Sequence, residues 1–510
     1  MAGSGEPVAC ARPLAFNDVV DVAIERRPVS LDEATKERVR GARSIVEEAA
    51  DSGRLVYGIT TGIGDLARVR VEATRLAQLQ RELVRSHAAA VGPPLPTEVV
   101  RAMMLLKAGT FTTGVSGVRL ELVTRFIELL NAGIHPIVPS QGSLGASGDL
   151  ALLAHLALPL MGEGTVEVDG VRKPAADALA DAALVPLDLS YKEGLSLING
   201  TEGMLALGIL ALHGAERLSD AADAIGAMTV EATLGTDRSF GPDVMGLRPH
   251  PGALAVAENL RTMLDGSEIV ASHKTSDHLV QDAYSLRCIP QVHGAYREAM
   301  GYVRRTLENE MASAIDNPSV ILGTREVVSG GNFHGEALGL ALDHLALCLT
   351  GYATISERRI ARLVDPNLNQ GLPAFLSSDP GQRSGFMIAH YTAASLVSES
   401  RSMSFPASAD SIPTSAGQED HVSMGATSGR KALAILANTE HVLAIEALAA
   451  AQALDHRAPL EPASRTQRVM SAIRSVSPTL EEDRALSEDI QKVRDLLREG
   501  TLGAPVSESR

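Results

Sequence analysis

Residues 419–455 read EDHVSMGATSGRKALAILANTEHVLAIEALAAAQALD. Beyond Gly425 the run holds no proline, and its Ala, Leu, Ile and Val residues fall on more than one face of a helix. A helix covering a core from one side needs a single apolar stripe, so this one must be buried on several sides within a helical bundle. Three further stretches read as long helices, with frequent alanine and leucine and no interior proline, at about 201–234, 290–315 and 335–364. The last ends at Asp365-Pro366, where proline disfavours helix at the residue before it. Upstream of Gly200 the pattern is mixed, with short helices, a few short strands and glycine loops. Thr165-Val-Glu-Val-Asp-Gly-Val171 alternates and turns at Asp-Gly, which predicts a hairpin. The fold class expected is mainly α: an N-terminal loop-rich region (15–200) followed by long helices (201–499). Residues 1–14 and 500–510 are expected to be frayed tails.

The 510 residues are 45% hydrophobic and 21% charged, enough for a large core. With aromatics at 3% and no Trp, that core must be aliphatic. A net charge of −16 argues against nucleic-acid binding, which needs a basic face. No apolar run reads as a transmembrane span, and no signal pattern opens the chain. Cys10, Cys288 and Cys348 are far apart and make neither a disulfide framework nor a zinc motif, as expected in a reducing cytoplasm with no metal.

The chemistry is concentrated in Gly142-Ser-Leu-Gly-Ala-Ser-Gly-Asp-Leu150. Gly148 has no Cβ to keep its amide nitrogen from the Ala146 carbonyl. Attack there with loss of water closes a five-membered ring, and loss of the Ser147 hydroxyl as a second water leaves an exocyclic methylidene. The electrophile is then made from the chain itself and no cofactor has to bind. An isolated Ala-Ser-Gly is more simply a flexible loop; the longer context and the segments below favour the chemistry.

Five other segments accompany it. They are Tyr57-Gly-Ile-Thr-Thr-Gly-Ile-Gly64, Leu83-Val-Arg-Ser-His-Ala-Ala-Ala-Val-Gly92 and Glu193-Gly-Leu-Ser-Leu-Ile-Asn-Gly-Thr201, then Val280–Cys288 with Gly330-Gly-Asn-Phe-His334, and finally Ser411–Met424. In this order they resemble the aromatic amino acid ammonia-lyases over residues 15–495, and most closely the histidine-type members. The resemblance implies an elongated fumarase/aspartase-like bundle and a methylidene-imidazolone (MIO) formed from Ala146, Ser147 and Gly148. It also implies a homotetramer whose active sites are shared between subunits, acting on a small amino acid. The reaction implied is non-oxidative deamination of L-histidine to trans-urocanate and ammonia.

Site residues follow from the same match. Tyr57 is the base for the β-proton; a phenol has a reference pKa of about 10 and acts near neutrality only if its surroundings lower it. Gly58, Gly62 and Gly64 would let its loop serve as a lid. Arg287 pairs with the substrate carboxylate, with Tyr284 and Gln281 three and six residues earlier positioning the substrate and the MIO oxygen. Asn199 contacts the MIO ring or the amine, and Phe333 stacks on the substrate ring. His87 and Glu419 read an imidazole, for a buried carboxylate facing an apolar ring would be unpaired and costly. Simpler readings are a packed tyrosine, a surface arginine, an Asn-Gly turn, a core phenylalanine, a core histidine, and a carboxylate at the start of the last long helix. Thr60, Ile63, Gly109, Thr112 and Leu152 depart from the usual family residues.

Three other classes compete. Gly62-Ile-Gly64-Asp-Leu-Ala67 loosely fits a dinucleotide fingerprint after a strand-like Arg54–Ile59, with Glu82 at a plausible distance, but no strand–helix alternation follows. Tyrosine 2,3-aminomutases and the tyrosine or phenylalanine ammonia-lyases use the same electrophile. An inactive helical scaffold would show no dehydration in its mass.

Overall fold

The computed structural model describes residues 5–52, 56–61, 75–276 and 280–503. The four long helices are Glu202–Ala232, Ile289–Ala312, Glu336–Val364 and Gly425–Asp455. The last, at 31 residues and about 1.5 Å each, is about 46 Å long. It begins at Gly425 and not at Glu419, because Met424 takes a left-handed φ of 53° that no helix continues through. Glu336–Val364 stops immediately before Asp365-Pro366, as expected.

Contacts divide the chain into two compact units. The first is Met1–Leu210, Arg304–Asp343 and Pro406–Arg430; the second is Ala211–Val303, His344–Phe405 and Lys431–Arg510. In the first, the helix Thr97–Thr112 is the centre, packed by the helices Phe16–Ala23 and Leu120–Asn131. All but its first two residues are buried, so it has no amphipathic period to read. The N-terminal half is therefore more helical than expected, with Glu33–Asp51 adding a 19-residue helix.

The expected hairpin is present. Thr165–Val168 pairs antiparallel with Val171–Pro174, and Asp169 (φ 49°) and Gly170 (φ 78°) make the left-handed two-residue turn between them. Among the described residues the sheets have two or three strands, with no doubly wound parallel sheet. Residues 56–61, expected to end a strand, instead form a turn in which the Ile59 and Thr60 amides both donate to the Val56 carbonyl. Ile59 is drawn in by packing on Ile45, Val46 and Val320. The fingerprint residues Gly62–Ala67, the strand residue Arg54, the lid residues Gly62 and Gly64, and the departing Ile63 lie outside the described residues.

The N-terminal tail is shorter than expected. Val8–Ala9 pairs with Val29–Ser30, and Val8, Cys10 and Leu14 are buried. Arg12 reaches the Leu106 carbonyl and Thr110 Oγ1. At the other end Leu502 is also buried, just past the left-handed cap Gly500.

In the second unit the carboxylate of Glu446, fully buried, takes Arg359 Nε at 2.5 Å and Nη2 at 2.8 Å, with Ser356 Oγ at 2.6 Å and Thr229 Oγ1 at 2.8 Å. Three long helices are thereby tied at one point by a paired and hydrogen-bonded charge. Ala444, Ala447, Ala449, Ala450, Ala451 and Ala453 line the same helix, all buried, as the scarcity of aromatics requires. Glu336–Val364 and Gly425–Asp455 are long and apolar enough to cross a membrane by length and composition. In each, 72% of the most apolar window is buried inside the protein, so the apolarity is that of core helices. All three cysteines are free; burial pushes the Cys10 and Cys348 thiols up to about 12.

Candidate active site

The Ala146–Gly148 loop is held in a compact left-handed form. Gly145 (φ 81°), Ser147 (φ 50°) and Gly148 (φ 81°) all have positive φ, and Gly145 bridges back to Gly148. Gly148 lies against Gly200, where an added Cβ would stand 1.9 Å from the Gly200 carbonyl oxygen. The contact is reciprocal: the Gly200 amide donates to the Ser147 carbonyl at 3.2 Å, and the Asp149 amide donates to the Gly200 carbonyl at 2.7 Å. Both sides of this contact are backbone, so no side chain can swing away to make room. Gly148→Ala is expected to lower the unfolding temperature in scanning calorimetry and the yield of folded protein. The left-handed conformation alone costs an alanine about 1–2 kcal/mol before the clash is counted. An alanine variant as stable as the parent would show that the close approach is dispensable.

Asp149, next in the chain, is fully buried. It accepts from Ser143 Oγ and from the Met204 amide, both at 2.7 Å. Burial outweighs these donors and pushes its carboxyl up to about 6. The loop's outer side packs on the segment before the last long helix: Ala146 touches Val422 and Met424, and the Met424 amide donates to the Leu144 carbonyl.

Behind the loop lies a set of buried charges that the sequence did not single out. Lys107 Nζ donates to the Asn199 carbonyl at 2.6 Å and lies 3.5 Å from Glu202 Oε2, whose other oxygen accepts from Thr110. Lys192 pairs with Asp316 at 2.8 Å, both fully buried. Lys107 carried a signal, being a lone charge in the apolar run Ala102–Phe111. Lys192 and Asp149 stand at the edges of the quoted motifs, and Asp316 had no signal at all.

Around this centre the first unit gathers most of the expected residues. Asn199 Nδ2 donates to the Asn317 carbonyl at 2.9 Å. Pro318 lines a cleft of about 430 Å³ together with Val56, Tyr57, Val327, Val328 and Ser329. Asn317 Oδ1 also accepts from the Gly330 amide, anchoring the turn that carries the half-buried Phe333. His334, after Phe333, stacks on His421 at 5.8 Å, tying that turn to the 411–424 segment. Glu419 is half-buried there. Its carboxylate accepts from Thr414 Oγ1 at 3.0 Å across a turn of three consecutive left-handed residues, Ser415, Ala416 and Gly417. It therefore stands on a strained loop and not at a helix start. His87 ends the helix Leu76–His87 with Nδ1 held by the Leu83 carbonyl at 2.9 Å.

The remaining three residues belong to the second unit. Tyr284–Arg287 is one helical turn, and the Arg287 guanidinium lies 4.8 Å from the Tyr284 ring centroid. That pairing matches the expected spacing of three. Tyr284 is 71% exposed and Gln281 is exposed, while Arg287 Nε is buried with no partner among the described residues. Among the described residues no group of His, Cys, Asp or Glu could hold a metal ion.

The first unit thus holds a strained glycine loop over buried charges, and comparison with known proteins makes the chain a carbon–nitrogen lyase and gives its family. The chain belongs to the aromatic amino acid lyase family, which it matches over residues 14–475. It is 50% identical over 503 residues to the histidine ammonia-lyase of Koribacter versatilis, covering 96% of this chain and 97% of that one. The crystal structure of histidine ammonia-lyase from Trypanosoma cruzi superposes with a TM-score of 0.89 at 42% identity, covering 96% and 92% of the two chains. Tyrosine aminomutase from Streptomyces globisporus superposes with a TM-score of 0.91 at 37% identity, covering 97% of each.

Proposed function

We propose that this chain deaminates L-histidine to trans-urocanate and ammonia. The observation that supports the reading is the segment packed on Ala146 through Val422 and Met424, which carries the half-buried carboxylate of Glu419 three residues before Val422. A carboxylate there is costly beside an apolar ring and favourable beside an imidazole N–H. Backbone superposition does not separate a lyase from an aminomutase. Identity does favour one: among the solved structures, 42% to a histidine ammonia-lyase against 37% to a tyrosine aminomutase.

The loop fits the MIO group. Its residues are small, its backbone is already left-handed at Ser147 and Gly148, and Gly148 has no room for a side chain. The group supplies an electrophile that draws electrons from the substrate. The chain's own side chains do the rest. Tyr57 accepts the β-proton on its phenolic oxygen. Arg287 holds the carboxylate, with Tyr284 and Gln281 orienting the substrate. Phe333 covers its ring, and His87 and Glu419 hydrogen-bond the imidazole. The family resemblance implies a homotetramer, and exposure of Tyr284 and Gln281 leaves these second-unit residues open to a neighbouring copy's site. Three free cysteines suit a cytoplasmic enzyme.

A panel of L-histidine, L-tyrosine and L-phenylalanine, followed by absorbance and by chiral chromatography, tests the reading. Histidine should be turned over best, with urocanate and no β-amino acid as product. Glu419→Gln should lower kcat/KM for histidine roughly 10–100-fold, the worth of a hydrogen bond to a charged group, and narrow the gap to tyrosine. A parent enzyme that prefers tyrosine would overturn the substrate assignment while leaving the elimination chemistry standing.

A further inference from the structure

The side-chain amide of Asn199 sits among acceptors. Nδ2 donates to the Asn317 carbonyl at 2.9 Å and turns its second N–H toward Asp316 Oδ1, 3.4 Å away. Oδ1 is buried and has no partner among the described residues. An amide's oxygen and nitrogen exchange places by rotation about one torsion, and the neighbours decide which way it lies. Here a flip would set oxygen against oxygen twice.

Asp316 is itself immobilised. Its Oδ1 accepts from the Asn317 amide at 2.7 Å and its Oδ2 from Lys192 Nζ at 2.8 Å. Lys192 has three N–H groups and three acceptors: Asp316, Ser196 Oγ at 2.9 Å and the Ser116 carbonyl at 3.0 Å. Asp316 and Lys192 are both fully buried, so neither exchanges its partner for water.

We propose that Asp316 and Lys192 are positioning residues that lock Asn199 with its unpartnered oxygen turned away from Asn317 and Asp316, so that it offers an acceptor and not a donor to the amino group of the bound amino acid. This rests on the reading of Asn199 as a site residue. An ammonium or amine carries N–H donors, so an outward Asn oxygen holds it and an outward Asn NH₂ repels it. Asp316 cannot supply a donor, which makes one amide orientation much the better. An asparagine at position 316 could accept or donate, so only the Asn317 carbonyl would still oppose the flip, and the flipped orientation of Asn199 would gain population.

The test is Asp316→Asn, alone and combined with Asn199→Ala. The single variant should keep the two-water mass deficit and the parent's oligomeric state while kcat/KM for histidine falls roughly 10–100-fold. In a Tyr57→Phe background, where turnover is slow, calorimetry should show weaker histidine binding. Added to Asn199→Ala, Asp316→Asn should change neither rate nor affinity further, since its effect passes through Asn199. Losses that simply add would assign Asp316 a structural role and overturn the proposal, as would parental kinetics in the single variant. Should Asp316→Asn fail to fold, Ser196→Ala loosens Lys192 more gently. It should give a smaller loss, of about 3–10-fold, that also disappears in the Asn199→Ala background; parental kinetics or an additive loss there overturns the proposal. A parent active on histidine with an unaffected Asp316→Asn overturns only this inference, whereas an inactive parent overturns the functional reading beneath it.

Discussion

Replacing Ser147 by alanine is expected to abolish turnover, by roughly 10³-fold or more, in a protein that remains folded. The two halves of this expectation have different causes. Ser147 sits at φ 50°, and its carbonyl accepts from the Gly200 amide. Serine and alanine pay the same conformational cost at that φ, and the carbonyl is unchanged, so the loop keeps its frame. The hydroxyl is another matter. It is the only group in Ala146-Ser147-Gly148 that can leave as the second water, so the variant cannot form a methylidene even if the ring closes. Intact-mass spectrometry separates the cases: the parent should weigh two waters less than its encoded mass, and the variant at most one less. Size-exclusion chromatography should place both at the same assembly. A Ser147→Ala enzyme with parental turnover would show that the electrophile is not made here.

The parts legible in the sequence were those with a period or a motif. The four long helices announced themselves through frequent alanine and leucine without interior proline, the last also through apolar residues on several faces and the third through Asp365-Pro366, and the hairpin through Asp169-Gly170. The buried helix Thr97–Thr112 did not, because a segment covered all round has no polar face to set a period. The N-terminal residues Val8–Leu14 looked like a tail, and only the partners they meet, Val29–Ser30 and the Thr110 region, give them a structure. In the site, Ala146–Gly148 and Asn199 lay in recognisable runs. Asp316 did not. Its importance comes from standing 117 positions away from Asn199 in sequence and 3.4 Å away in space, a relation that no local pattern carries. Glu419 was legible as a residue but not as a location. The left-handed Met424, which pushes it off the helix and onto the loop, is a backbone choice that its own side chain does not advertise.

Tyr57→Phe should leave histidine binding nearly intact and lower kcat roughly 10²–10⁴-fold, the usual worth of a positioned general base. The ring is retained, so its packing in the cleft with Val56, Pro318 and Val327 is retained as well. Its backbone frame is also kept, because the turn is fixed by the Ile59 and Thr60 amides on the Val56 carbonyl and by Ile59 in the core. Only the phenolic oxygen is lost, and with it the acceptor for the β-proton. With histidine deuterated at the β-carbon, the variant should show a larger isotope effect than the parent, because proton removal becomes the slow step. Binding and chemistry separate in the kinetic constants: an interaction made only at the transition state lowers kcat and kcat/KM together. A loss confined to KM, with kcat and the isotope effect unchanged, would make Tyr57 a packing residue of the cleft and move the search for the base to another side chain.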